Sequence, residues 1–136
     1  MVASLAHGQV QRGHDVTVCT TDAFEAQRRL PDQWRRGDDN IALRVFPNLS
    51  NTLAYHLQFF VPLGLEAYLR RHAGDFDVAH VHGCHNLPGA IAAGCLSRAG
   101  VPYVLATHGT ALLALILVHA LTGDIHPAAS AVANAV

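Results

Sequence analysis

The chain lacks features that define several common classes of protein. Its 136 residues include no lysine, only 14% are charged, and the formal net charge is -1. Electrostatic binding to nucleic acid therefore has no support, because it depends on a basic surface. The longest apolar run, residues 111–118, is much shorter than the roughly 20 residues of a membrane-spanning helix. Three cysteines without a Cys-x-x-Cys pair indicate reduced thiols.

The chain does contain enough apolar residues for one folded core. Hydrophobic residues make up 51% of it, and 136 residues fit one domain but not two. Residues 1–7 lack the basic start and long apolar stretch of a signal peptide, so we expect a cytoplasmic protein. The absence of lysine together with many alanines is typical of a GC-rich bacterial genome.

Helix-like and strand-like segments alternate along the chain. Apolar residues at three- and four-residue spacing indicate helices, and short β-branched runs indicate strands. Such alternation implies βαβ crossovers and a mostly parallel sheet covered on both faces. We therefore predict an α/β fold, a Rossmann-like three-layer αβα arrangement. The predicted helices span residues 2–10, 53–69, 87–99 and 111–121, and the predicted strands span residues 15–20, 41–46, 77–81, 101–107 and 131–136.

The second predicted helix contains its own start and break signals. Ser50 or Asn51 can cap it by accepting a hydrogen bond from a first-turn N–H. Pro62 lies within it, and an interior proline removes a helical hydrogen bond. We therefore expect the helix to be kinked or split at Pro62.

Two segments at predicted strand ends combine histidine with glycine. They are residues 80–86 (H-V-H-G-C-H-N) and residues 107–110 (T-H-G-T). Ligands of open parallel sheets bind outside the carboxyl ends of the strands. Glycine allows close approach of the backbone, and imidazole can form a hydrogen bond with a sugar hydroxyl or a phosphate. We expect His82 and His108 to leave neighbouring parallel strands side by side and to face one cleft.

A zinc site is an alternative for His80, His82, Cys84 and His85. The two histidines of the strand share one face, whereas Cys84 and His85 belong to the turn. No second ligand pair has the spacing of a zinc site. Structural or substrate-facing histidines are therefore favoured over metal ligands.

Four arginines surround Pro31 and Trp34 in the polar connection after the first strand. A solvated loop is the favoured interpretation of this segment. The alternative is a patch that contacts anionic lipid headgroups at the inner face of the membrane, or a lipid-linked acceptor. The four residues are Arg28, Arg29, Arg35 and Arg36.

Five segments, in chain order, resemble motifs of glycosyltransferase family 4. Each segment is weak by itself, but their common order makes the resemblance specific, and it covers nearly the whole chain to Thr110. The segments are residues 12–18 (R-G-H-D-V-T-V), residues 47–51 (P-N-L-S-N), residues 75–82 (D-F-D-V-A-H-V-H), residues 83–90 (G-C-H-N-L-P-G-A) and residues 100–110, which hold G-V-P-Y-V and T-H-G-T.

The resemblance implies the N-terminal, acceptor-side domain of a GT-B enzyme. Such enzymes move a sugar from a nucleotide-sugar donor to a glycan or lipid-linked acceptor, with retention and without a bound metal or other cofactor. His108 would be the catalytic residue, because it would reach the transferred sugar or its phosphate. The substrate-binding residues that the resemblance implies are His82, Gly83, His85, Asn86, Gly109 and Thr110.

Two departures from the family pattern predict a partial enzyme. The family begins with a strand and a Gly-Gly loop, whereas this sequence starts within the first helix, and no C-terminal donor domain follows. Loss of the first, central strand would leave two half-sheets with unpaired inner edges. We therefore expect residues 1–136 to form one partial domain that is inactive alone. The alternatives are a non-catalytic half-domain with a separately encoded partner and a fragment of a GT-B nucleotide-sugar 2-epimerase.

Overall fold

The computed structural model describes residues 2–35, 40–83 and 86–106. Within these ranges, four α-helices and six β-strands confirm the predicted α/β class. The helices are α1 (Val2–Val10), α2 (Asn51–Leu57), α3 (Leu65–His72) and α4 (Leu87–Ala99). The strands are β1 (Val16–Thr21), β2 (Ala23–Glu25), β3 (Arg28–Arg29), β4 (Ile41–Phe46), β5 (Ala79–His82) and β6 (Tyr103–Ala106).

Four of the strands form two separate parallel sheets. β1 pairs with β4 over all six residues of each strand. β5 pairs with β6, and His82 lies opposite Ala106 at their carboxyl ends. Within the described ranges, no strand pairing joins the two sheets. The prediction of two parallel half-sheets is therefore confirmed.

The second predicted helix is split at Pro62, as expected. Ser50 caps α2, because its hydroxyl oxygen accepts a hydrogen bond from the N–H of Leu53 at 3.3 Å. The helix ends where Gln58 adopts a left-handed backbone with a φ of 53°. Pro62 then forms an isolated antiparallel bridge with Asn48, and α3 follows.

The core connects both half-sheets through α3 and α4. Phe46, the last residue of β4, contacts Tyr68 of α3 with ring centroids 5.5 Å apart. Burial of apolar surface stabilises such contacts by about 25 cal/mol per Å². Helix packing, rather than strand pairing, therefore holds the two sheets together. The buried residues are Ala73, Val81, Leu96 and Val101 in one cluster and Leu65, Leu69 and Cys95 in the other.

The segment between β1 and β4 contains structure that the sequence did not predict. β2 and β3 form a short antiparallel hairpin, and a 3-10 helix, Asp32–Trp34, follows. The segment is therefore not the irregular loop that was predicted, although Arg28 and Arg29 are exposed to solvent as expected. The elements predicted at residues 111–121 and 131–136 lie outside the described residues. Of the helices in the described part of the chain, none is both long and apolar enough to cross a bilayer.

Candidate functional site

The carboxyl ends of β5 and β6 lie side by side, as predicted. Their ladder continues one residue beyond β5, because the N–H of Gly83 donates to the carbonyl of Ala106 at 2.9 Å. The chain therefore leaves both strands at one edge, which is where parallel α/β sheets bind ligands. Outside the described residues lie four of the predicted site residues: His85, His108, Gly109 and Thr110.

The turn between β5 and α4 is closely packed around two glycines. Gly83 has a φ of 85°, in the left-handed region that favours glycine. A Cβ on Gly89 would collide with the carbonyl oxygen of Gly83. Asn86 caps α4, because its Oδ1 accepts a hydrogen bond from the N–H of Gly89 at 2.8 Å. Gly83 and Asn86 therefore stabilise this turn. If Asn86 also binds a ligand, its side-chain Nδ2 would be the atom that makes the contact.

Two histidines lie on one face of β5, as predicted. The ring centroids of His80 and His82 are 5.4 Å apart, and Val81 between them is buried in the core. His80 is exposed and His82 is half-buried. Within residues 2–35, 40–83 and 86–106, no three histidine, cysteine, aspartate or glutamate side chains come together as a metal site would require. Cys84 and His85, the other two residues of the zinc alternative, lie outside the described residues.

Asp22 and Asn48 form a buried polar pair just beyond the carboxyl ends of β1 and β4. Their exposed fractions are 2% and 0%, and the N–H of Asn48 donates to Oδ1 of Asp22 at 2.7 Å. The side chain of Asn48 accepts from the N–H of Val61 and donates to the carbonyl of Ser50, both at 2.8 Å. Because unpaired buried polar groups are costly, this set of hydrogen bonds fixes three chain segments together.

Two arginines bind the carboxylate of Asp22. Nη1 of Arg29 donates to both carboxylate oxygens, at 2.9 and 2.7 Å, and its Nη2 donates to the carbonyl of Asn48 at 3.0 Å. Nη2 of Arg35 lies 3.4 Å from Oδ2. Burial opposes ionisation of Asp22, but these hydrogen bonds and positive charges outweigh it and hold the pKa of Asp22 below its ordinary value of 3.8. Asp22 is therefore an ionised anchor for this network.

The structure changes the interpretation of the arginine segment. Arg29 and Arg35 are held by Asp22, whereas the side chain of Arg28 forms an exposed ion pair with Glu25. Arg36 lies outside the described residues. Sequence reasoning missed Asp22, although an acidic residue directly after a β-branched strand was an available signal. Its partners Arg29 and Arg35 lie later in the segment between β1 and β4. Their ion pairs with Asp22 are therefore visible only in the folded hairpin.

The elements that carry the two polar features share one buried cluster. Phe46, at the carboxyl end of β4, and Ile91, in the second turn of α4, pack against the same cluster of buried residues. The end of β4 and the second turn of α4 therefore border the same part of the core. The candidate site comprises the carboxyl ends of both sheets, with the Asp22–Asn48 network at one sheet and the β5–α4 turn at the other.

A cavity of about 740 Å³ runs along β4 and reaches the residues before β1 and β5. Its lining includes Asp15, Arg44, Tyr68, His72 and Asp75. Asp15 and Asp75 precede their strands, so this space extends toward the amino ends, away from the edge where ligands of such sheets bind. We therefore assign the site to the carboxyl edge rather than to this cavity.

Comparison with known proteins identifies the family. No curated protein and no solved structure matches the chain significantly. The family model for Glycosyltransferase Family 4 matches residues 1–134, a range that includes both the Asp22–Asn48 network and the β5–α4 turn. The chain therefore belongs to glycosyltransferase family 4.

Proposed function

We propose that the chain is the acceptor-side, N-terminal domain of a cytoplasmic GT-B glycosyltransferase. It would help to transfer a sugar from a nucleotide-sugar to an acceptor hydroxyl, with retention and without a bound metal. Family membership supports glycosyl transfer as the general class. The observation that supports the finer proposal is the parallel register of His82 with Ala106, because the chain leaves β5 and β6 toward its two His-Gly segments from the same edge.

The proposal assigns different roles to the two His-Gly segments. His108, two residues beyond Ala106, meets the transferred sugar or its phosphate, where stabilisation of the departing diphosphate is the main catalytic effect. Gly109 and Thr110 shape the loop of His108. The residues that border the acceptor pocket are His82, Gly83, His85 and Asn86.

In this proposal, residues 1–136 form one partial domain, and a C-terminal GT-B domain supplies most donor contacts. The decisive assay measures release of nucleoside diphosphate from a panel of nucleotide-sugars in the presence of acceptors. The chain is assayed alone and assembled with a C-terminal family 4 domain. We expect turnover only in the assembled form, and turnover by the chain alone would contradict the proposed division.

Substitution of His108 tests the catalytic assignment. We expect His108→Ala to lower kcat of the assembled enzyme roughly 100-fold, because an electrostatic contact to the departing group is lost. The matched control is His80→Ala, an exposed histidine on β5, which should keep kcat within about twofold. Equal activity of the two variants would contradict a catalytic role of His108.

A non-catalytic half-domain is the second candidate. It is supported by the two half-sheets, because strand edges that are unpaired among the described residues could pair with another chain. It predicts a stable complex with a partner that transfers no sugar. The 2-epimerase alternative has no support from the family match, and it would change the configuration of the donor sugar without an acceptor.

A further inference from the structure

Two arginines, Arg29 and Arg35, cover one buried carboxylate at the carboxyl end of the β1–β4 sheet, and we call them the arginine pair. The side chain of Asp22 is 2% exposed, whereas those of Arg29 and Arg35 are 49% and 36% exposed. Both arginines approach the same carboxylate oxygen, Oδ2, at 2.7 and 3.4 Å. Because the carboxylate is buried and the arginines are not, a solute from the solvent meets N–H donors and positive charge first.

The arginine pair is held in position but keeps N–H donors for a ligand. Arg29 is held by Asp22 and by the carbonyl of Asn48. Arg35 donates from Nε to the carbonyl of Leu30 at 3.2 Å. Among the described residues, none accepts a hydrogen bond from Nε of Arg29 or from Nη1 of Arg35. Side chains that are already ordered lose less conformational entropy on binding, so the pair is preorganised for a ligand.

The charges around the arginine pair can accommodate an anion. The two guanidinium groups carry two positive charges, and the buried Asp22 balances one of them. The second carboxylate in contact with the pair, Asp32, lies 3.3 Å from Nε of Arg35, but its side chain is 98% exposed. Solvent and salt screen such an exposed ion pair. A ligand with more than one negative charge can therefore displace Asp32 from Arg35.

We propose that the arginine pair binds a phosphate group. Two guanidinium groups beside one oxygen can contact several oxygens of a single ligand, and a phosphate offers three acceptor oxygens and up to two negative charges. The pair adjoins Asp22, which directly follows β1, and ligands of parallel sheets bind at this end of the strands. The phosphate would belong to the acceptor, because the proposed function assigns the diphosphate of the donor to His108. Only this last step rests on the proposed function.

Titration of the 136-residue chain with inorganic phosphate at constant ionic strength tests the binding step. Trp34, the only tryptophan in the chain, directly precedes Arg35, so its emission reports on the site. The phosphorus NMR line width of the phosphate follows the same binding from the ligand. We expect saturation with phosphate and a much weaker response to acetate, which has one charge and two oxygens. No saturation in either measurement would overturn the proposal, as would equal affinity for acetate.

Two matched carboxylate substitutions locate the bound phosphate. Asp32→Asn removes the exposed competitor for Arg35 and should tighten phosphate binding roughly threefold. Glu66→Gln is the control, because it removes the same charge from another exposed ion pair, that of Glu66 with Arg70 on α3. It should leave the affinity unchanged. An equal gain in both variants would show a general effect of net charge and would overturn the assignment.

Arg35→Gln tests the arginine pair directly, since it removes one guanidinium group and keeps a polar side chain. We expect phosphate binding to weaken roughly tenfold, because a charge-assisted hydrogen bond is lost. Arg98→Gln, at an exposed position of α4, is the control and should bind as the wild-type chain does. Circular dichroism verifies that both variants are folded, and Asp32→Asn decides the question if Arg35→Gln is not. Wild-type affinity in folded Arg35→Gln would overturn the proposal.

Displacement of inorganic phosphate by phosphate esters distinguishes two kinds of carrier. The esters are glucose 6-phosphate, which is soluble, and a short-chain phosphatidylinositol, which represents a lipid-linked phosphate. We expect at least one of them to displace phosphate in a way that Arg35→Gln weakens, and the tighter binder identifies the kind of carrier. Failure of both esters would overturn binding of a phosphate group that is part of a larger acceptor.

Inhibition of the assembled enzyme tests whether the phosphate belongs to the acceptor. Inorganic phosphate should compete with the acceptor that supports turnover and not with the nucleotide-sugar, and Asp32→Asn should lower the inhibition constant. Competition with the nucleotide-sugar instead would overturn the acceptor assignment. An assembled enzyme without turnover would contradict the proposed function, whereas phosphate binding by the chain alone would still support the arginine pair as a phosphate site.

Discussion

Asp22 is the residue whose removal should most disturb the described part of the chain. The Asp22→Asn substitution would leave Arg29 and Arg35 without their shared counter-charge and would weaken the acceptor for the N–H of Asn48. We expect a loss of about 2 kcal/mol in the free energy of unfolding, because the carboxylate is buried while the arginines are partly solvated. Urea unfolding measures the change. Asp77→Asn, at an exposed position, is the control and should leave the midpoint where it is.

The same carboxylate should make stability depend on pH. Because the pKa of Asp22 is lower in the folded than in the unfolded chain, its contribution is complete above the unfolded value of about 3.9. That contribution is lost as the pH falls through the folded pKa. Unfolding free energies measured from neutral pH downward should therefore fall more steeply for the wild-type chain than for Asp22→Asn. Parallel curves for the two proteins would show that another group controls acid unfolding.

At the scale of elements, the β5–α4 turn depends on the absence of a side chain at one glycine. Gly89→Ala should destabilise the chain by about 2 kcal/mol, because the new Cβ would push against the Gly83 carbonyl. Gly94→Ala, in the same helix, meets only the end of the Arg98 side chain, at 3.5 Å. It should stabilise the helix by about 0.5–1 kcal/mol. Thermal unfolding that shifts both variants in the same direction would contradict this account.

Elements with strong local signals were predictable, and those that depend on tertiary contacts were not. β4 and α4 have the predicted bounds, because a short apolar stretch closed by Pro47 specifies the strand, and a cap with a terminal glycine specifies the helix. β2 and β3 have only three and two residues, so the sequence shows no alternation of apolar and polar residues that would indicate a strand. Their hairpin is fastened by Arg29, which binds Asp22 seven positions earlier only after folding.

For the whole molecule, the sequence indicated both the fold class and the division of the parallel strands into two sheets. It also placed His82 and Gly83 at the carboxyl end of a parallel strand, where the structure has them, because the motif follows a recognisable strand. It did not predict the Asp22–Asn48 network, since that network joins segments 26 residues apart through a backbone N–H. Backbone donors have no signature in the amino-acid sequence. The catalytic role of His108 and the substrate-binding roles of His82, Gly83, His85, Asn86, Gly109 and Thr110 remain predictions.

The fully buried Asn48 has a consequence for how this edge can change. It joins the end of β4, the arginine hairpin and the approach to α3, so displacement of any one of them would break bonds to the others. The border of the site formed by the Asp22–Asn48 network is therefore rigid. A ligand that binds at this border would therefore meet a surface that does not adapt to its shape.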